Sequence, residues 1–417
     1  MNITSLKKLL SSLLPGIFLV GYTVGTGSVT AMSKAGANFG LDLLWTVLVS
    51  CILTYYLMSL FSRYAMVTGL TAIEGFRRHI HPVFALSMIA MLSIIIIGAL
   101  MGVMSIVSEV AYKWTRTILT WEISPVFWAL FFSVGLYYLL WNGTTVTYER
   151  ILAVLVSIMG LSFIVTMFVE FPSWNMILKG LIPHIPETAQ GSDNNPFVIV
   201  AGMVGTTVSV FIFIVRTGLV LDKKWTMEQY NVQRRDAAIS ATLIFIISVA
   251  VMITAAATLN KRGLKLNNIT DIVHMLEPIF GRYALTIFVF GILAAGLSSH
   301  LPNLLVIPWL VQDYRGIDRN MKTKGNRILC LFLSLASLFG VLFGFKPVFL
   351  MLLSQAAITV LLPLVVGAIA YMTSSGKIMG KHKNGVLDYG VLTGVMVFSL
   401  YMCRMGIQGL IADICRS

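Results

Sequence analysis

Long apolar stretches separated by short polar segments run the length of the chain. Eleven of them approach the roughly 20 residues that a helix needs to cross a bilayer. They lie near residues 14–37, 41–66, 83–112, 125–142, 149–171, 196–220, 237–259, 281–312, 328–344, 347–373 and 386–408. The pattern predicts an all-α membrane protein. The first stretch departs from the others. It begins as Pro15-Gly-Ile-Phe-Leu-Val20, and then Gly21, Gly25 and Gly27 are interleaved with Thr23, Thr26 and Ser28. A glycine weakens a helix by about 1 kcal/mol relative to alanine, so this helix is expected to open. Opened backbone inside a bilayer must be satisfied by protein, water or a ligand. Small residues of this kind also serve close helix packing.

Composition agrees with the pattern. Hydrophobic residues make up 57% of the 417 residues and charged residues 11%, against about 25% charged in a soluble protein. The net charge of +13 is therefore read as Lys and Arg on loops, with no nucleic-acid partner expected. With the N-terminus in the cytoplasm, the inner side would hold Lys7, Lys8, Arg63, Arg77, Arg78, Arg150, Lys223, Lys224, Arg234, Arg235, Arg315, Arg319, Lys322, Lys324, Arg327, Lys377, Lys381 and Lys383. The excess of basic residues there predicts N-in and C-out in the cell inner or plasma membrane. Residues Met1 to Ser12 lack the order of a cleavable signal peptide. Cys51, Cys330, Cys403 and Cys415 show no metal spacing and are expected as free thiols. There is no phosphate-binding Gly-x-x-x-x-Gly-Lys-Ser/Thr pattern and no organised catalytic triad. Neither an enzyme, an ATP-driven pump nor a cofactor is indicated.

The chain divides into an N-terminal segment (1–13), five spans (14–171), an external loop (172–195), five more spans (196–373), and a final loop, eleventh span and C-terminus (374–417). The second group opens with Val200-Ala-Gly-Met-Val-Gly-Thr-Thr-Val-Ser209. Val24-Gly-Thr-Gly-Ser28 and Val204-Gly-Thr-Thr-Val-Ser209 share a pattern. Two repeats, each opening with a broken helix, point to a transporter with its site between the breaks.

Several segments, in order and spacing, resemble the Nramp divalent-metal transporters. They are Pro15-Gly16 through Ala35-Gly-Ala-Asn-Phe-Gly-Leu-Asp-Leu-Leu-Trp45, Arg63-Tyr-Ala-Met-Val-Thr-Gly69, Gly281 through Ser299, Leu353-Ser-Gln-Ala-Ala-Ile-Thr-Val-Leu-Leu-Pro363 and Thr373-Ser-Ser-Gly-Lys-Ile-Met-Gly380. The resemblance implies a LeuT-type fold of two inverted five-helix repeats plus an eleventh helix. It also implies metal-ion symport by alternating access, with protons as a coupling ion. The departures fall at the site. Where the family has Asp-Pro-Gly-Asn, this chain has Gly25-Thr26-Gly27-Ser28. Where the family has Met-Pro-His, it has Ser209-Val210-Phe211, and the second family histidine falls on Arg216. Gln355, Glu109 and Glu149 match family positions, and Glu109 belongs by resemblance to the proton route.

The expected substrate-binding set is Thr23, Gly25, Thr26, Ser28, Gly205, Ser209 and Gln355. None is charged, so a fully dehydrated divalent ion is poorly compensated, and loss of the thioether disfavours softer metals. Opened half-helix N-termini would also suit an anion, helped by Arg216 if it faces the site. A cation such as Mn²⁺ or Mg²⁺ and a small anion or zwitterion are thus both candidate substrates, and a non-transporting sensor is a third possibility. Arg216 could instead snorkel to the surface. His300, mid-span, could titrate near neutral pH and join Glu109 and Arg216 as a coupling candidate, or serve packing. His79 and His81, two apart in a basic loop, are a weak metal signal.

Overall fold

The computed structural model describes residues 19–142 except Tyr22, scattered positions from 154 to 168, and residues 171–186, 196–263, 266 and 284–414. Leu19–Gly21 and Thr23 are helical and lead into α1 (Thr26–Phe39). Then follow α2 (Leu44–Thr68), α3 (Pro82–Trp114) and α4 (Pro125–Asn142). The second group comprises α5 (Pro196–Thr207), α6 (Val210–Asp222), α7 (Tyr230–Thr258), α8 (Ala284–Arg315), α9 (Lys324–Leu342) and α10 (Pro347–Ser374), and α11 (Val386–Ile414) closes the chain. Among the described residues there is no strand.

Among the described residues, eight helical stretches are long and apolar enough to cross a membrane, and Pro125–Trp141 is a shorter apolar helix. Helices coincide with the expected apolar stretches where residues are described. The start of span one and much of span five lie outside the described residues. The segment expected as the external loop carries a short helix, Trp174–Gly180, that the apolar pattern did not predict.

Helix ends follow local chemistry. Pro82 stands at the start of α3, where a missing N–H costs nothing, and His81 Nδ1 accepts the Val83 N–H at 3.2 Å. Gly69 ends α2 in the left-handed region (φ 69°), its N–H on Ala65 O at 2.9 Å, a conformation that favours glycine. Close packing relies on another glycine: a Cβ at Gly36 would strike the Met252 carbonyl, so α1 lies directly on α7.

Burial orders the bundle from centre to rim. The most apolar window of Pro196–Asp222 is wholly buried, whereas only 22% of the α11 window is. Span six is therefore the axis, and α11 lies at the periphery against α10 and α5. Helices α3, α8 and α10 pack side by side, with α1 also reaching α5 and α10. This arrangement surrounds the breaks in spans one and six with protein.

Candidate transport site

Both expected openings are present. In span one the helix gives way at Val24 and Gly25, and Gly25 is extended (φ −100°, ψ −164°) before α1 restarts. In span six α5 ends at Thr207, and Ser209 (φ −76°, ψ 124°) precedes α6. Hydroxyls that take helix carbonyls accompany each break. Thr23 Oγ1 donates to Leu19 O at 2.6 Å, and the Thr206 and Thr207 hydroxyls both donate to Met203 O, at 2.9 and 3.0 Å. Such bonds compete with the main-chain ladder. The Thr207 carbonyl, at the end of α5, accepts Thr54 Oγ1 from α2 at 2.7 Å. Gly25 is required by space, since a Cβ there would run into the Ser299 side chain of α8.

A cavity of about 30 Å³ lies between the breaks, room on the order of one or two waters. Thr23, Gly25, Ser28, Ser209 and Gln355 line it, as the sequence led us to expect. Thr26 and Gly205 do not. The Thr26 methyl group packs toward Gly296 of α8, and a Cβ at Gly205 would strike the Gln355 carbonyl, so Gly205 brings the α5 and α10 backbones together. The remaining lining comes from Gly27, Thr206 and Phe211 of the broken spans, Ala99 of α3, Ser299 and Asn303 of α8, and Met351 and Ile358 of α10. The sequence motifs did not point to Asn303 or Met351. Their signal is spacing: each stands four residues, one helical turn, from another lining residue, Ser299 and Gln355 respectively. Met351 also corrects the expectation of a site without a thioether.

Among the described residues, no charged side chain lines the cavity and no group of three or more His, Cys, Asp or Glu gathers. Four of the lining polar groups share a direction. Thr23 and Thr206 commit their hydroxyl hydrogens to carbonyls as described. Ser299 Oγ likewise donates to Ala295 O at 2.9 Å, and Asn303 Nδ2 donates to Ser299 O at 2.9 Å. A hydroxyl has one hydrogen and two lone pairs, so with the hydrogen committed its remaining capacity is to accept. Ser209 caps α6 without its hydroxyl bonding the helix.

Arg216 neither snorkels nor lines the cavity. It is fully buried, with its guanidinium paired to Asp236 of α7. Nε donates to Ser62 Oγ at 3.1 Å and Nη2 to Gln233 O at 3.4 Å, and the group lies 5.8 Å from the Trp225 ring centre. Glu109 pairs with Lys113 at 2.9 Å and lines a separate hollow of about 370 Å³ with Tyr112 and Lys346. His300 is fully buried outside the cavity lining, with neither ring nitrogen hydrogen-bonded. His81 caps α3 through Nδ1, while burial, and then the charge of Arg78, hold the His79 pKa below its usual 6.5. Cys51, Cys330 and Cys403 are free thiols. Glu149 and Cys415 lie outside the described residues.

Comparison with known proteins gives the arrangement a lineage. The divalent metal cation transporter MntH of Klebsiella pneumoniae is 26% identical over 379 residues, covering 88% of this chain and 86% of its own length. MntH of Erwinia tasmaniensis is 23% identical over 418 residues, covering 96% and 95%. The crystal structure of the Eremococcus coleocola manganese transporter superposes with a TM-score of 0.79 at 15% identity, covering 99% of this chain and 90% of that one. MhsT in complex with L-phenylalanine superposes with a TM-score of 0.61 at 12% identity, covering 95% and 98%. These likenesses give the fold: a LeuT-type membrane protein of two inverted five-helix repeats plus an eleventh helix. A family model described as natural resistance-associated macrophage protein-like matches residues 16–407, and the chain belongs to the Nramp family.

Proposed function

We propose that this chain is a secondary transporter that moves a divalent metal cation, such as Mn²⁺ or Mg²⁺, by alternating access, holding the ion between the breaks in spans one and six. The direction of the hydrogen bonds around the cavity carries the proposal. Thr23, Thr206 and Ser299 direct their hydroxyl hydrogens to main-chain carbonyls, leaving lone pairs for a ligand, and Asn303 directs an amide hydrogen to Ser299 O. Acceptors suit a cation, while an anion needs donors. A fixed positive charge would have favoured an anion or zwitterion, but Arg216 is paired with Asp236 away from the lining. The names of the MntH relatives, divalent metal cation transporters, and of the manganese transporter superposed above favour the same substrate class.

An uncharged lining compensates poorly for complete dehydration, so the ion keeps part of its water. Helices α1 and α6, each separated from its other half by extended backbone, supply the parts that turn during access. Glu109 is the side chain offered for a coupled proton. The test is flux into liposomes carrying the full chain. Saturable Mn²⁺ uptake, reduced at least tenfold in Ser28→Leu and in Ser209→Leu, is expected. Uptake unchanged in both variants would overturn the placement of the site. No uptake of any divalent cation by folded protein would overturn the substrate class.

A further inference from the structure

The separate hollow of about 370 Å³ at the Trp114 end of α3 has the opposite hydrogen-bonding sense to the transport cavity. Ser105, Ser108, Glu109 and Tyr112 line it; their spacing of i, i+3, i+4 and i+7 puts them on one face of the helix. Ser105 is only 4% exposed, yet its Oγ has no hydrogen-bond partner. The Tyr112 hydroxyl accepts Arg116 Nη1 at 3.5 Å, which leaves its own hydrogen to donate. Across the hollow the chain turns from α9 into α10 through Gly344, at φ 65°, and Lys346 and Pro347 complete that wall. Helix α10 begins there with no side chain capping its first turn. Its leading N–H groups have no partner within the helix, and the helix dipole is positive at this end. Lys113 pairs with Glu109 at 2.9 Å, and Lys346 gives the lining a second ammonium against that one carboxylate.

We infer that this hollow binds a phosphate group, held by Lys346, the Ser105 and Tyr112 hydroxyls and the start of α10. The inference stands apart from the cation transport proposed above. Donors suit an anion as acceptors suit a cation, and a helix N-terminus and a lysine are both common phosphate partners. A buried hydroxyl left without a partner costs free energy, and a phosphate oxygen supplies that partner for Ser105. Depth agrees. Ser105 lies about 35 Å along α3 from Pro82 at 1.5 Å per residue, and the hydrocarbon core of a bilayer is about 30 Å thick. With the basic segment Arg77-Arg78-His79 at one membrane surface, the hollow stands at headgroup level on the other. Pro125, Val341 and Phe345 give it an apolar wall as well, which suits the phosphate of a lipid headgroup, while the same donors would hold dissolved phosphate.

The test is a phosphorus NMR titration of the purified full chain in a phosphate-free maltoside detergent. The probes are inorganic phosphate and, separately, the water-soluble short-chain lipid dihexanoyl phosphatidylglycerol. The variants are Lys346→Gln and Ser105→Ala, with Lys179→Gln as a control, an exposed lysine outside the lining. Expected is saturable binding of at least one probe, weakened about tenfold or more in Lys346→Gln and about threefold in Ser105→Ala, as loss of a charged and of a neutral hydrogen bond would give. Lys179→Gln should change it less than about twofold, because a distant exposed charge is screened. Saturation by the lipid alone identifies a headgroup as the source, and saturation by inorganic phosphate a dissolved anion; either supports the site. Binding of neither probe to folded protein at millimolar concentration overturns the inference. So does binding that both variants leave unchanged, or that the control weakens equally. Should Ser105→Ala fail to fold, Lys346→Gln, a change of an exposed side chain, decides alone.

Discussion

Removing Asp236 should destabilise this protein more than almost any other single change of one polar side chain. Arg216 is 0% and Asp236 1% exposed, so water screens neither charge. Breaking a buried pair by deleting one partner costs about 3–5 kcal/mol, because the other charge is left uncompensated. Two neutral hydrogen bonds, to Ser62 and to Gln233 O, and the nearby Trp225 ring would still attend Arg216 after the change. They place the expected loss for Asp236→Ala near the lower end, about 3 kcal/mol. Replacing both partners, Arg216→Met with Asp236→Leu, should recover most of that loss, since apolar replacement of a whole buried pair is often neutral or better. Reversible unfolding titrations in detergent measure all three. A single variant within about 1 kcal/mol of wild type, or a double variant as unstable as the single, would refute the reasoning. The double variant also bears on function. If it folds and still carries Mn²⁺, Arg216 acts through structure; if it folds but loses cation transport, Arg216 serves the pathway after all.

Gly27→Ala pushes a methyl group toward Met351 Cε and Gln355 Nε2, both ends of flexible side chains; calorimetry should show cation affinity falling about tenfold or more while unfolding shifts by less than about 1 kcal/mol. Gly205→Ala meets backbone instead, the Gln355 carbonyl, and unfolding titrations should show a loss of about 1–3 kcal/mol or more as α5 and α10 are forced apart. An NMR titration of His79 should give a midpoint below 6.5, moving upward in Arg78→Gln because that charge is the second cause of the shift after burial. A histidine with a lowered folded pKa binds its proton more weakly when folded, so its share of stability is present above the ordinary value and lost as pH falls through the folded one.

The breaks could be located from sequence because their causes are local. Glycines at 21, 25 and 27 and hydroxyls at 23, 206 and 207 act within one turn of themselves, and Gly25 and Ser209 are extended where the pattern suggested. What surrounds the breaks was not legible. Helices α3, α8 and α10 are apolar on nearly every side, so no amphipathic stripe marks which of their residues face inward. Ala99, Asn303 and Met351 therefore emerged only from the packing. Gln355 was visible through its family position. Arg216 illustrates the same limit: the sequence offers a cation near the end of an apolar stretch, but its partner, Asp236, belongs to another helix. Gly205, read as part of the site, is a contact glycine, because small residues mark both open backbone and close helix approach.

The most direct measurement is the anomalous scattering of Mn²⁺ in crystals of the full chain. Cation binding between the two breaks predicts a peak within bonding distance of the Ser28, Ser209 and Gln355 side chains, weakened or absent in Ser28→Leu. A peak confined to the separate hollow beside Glu109 and Lys346, or a cavity that takes up an anion in place of the metal, would contradict it.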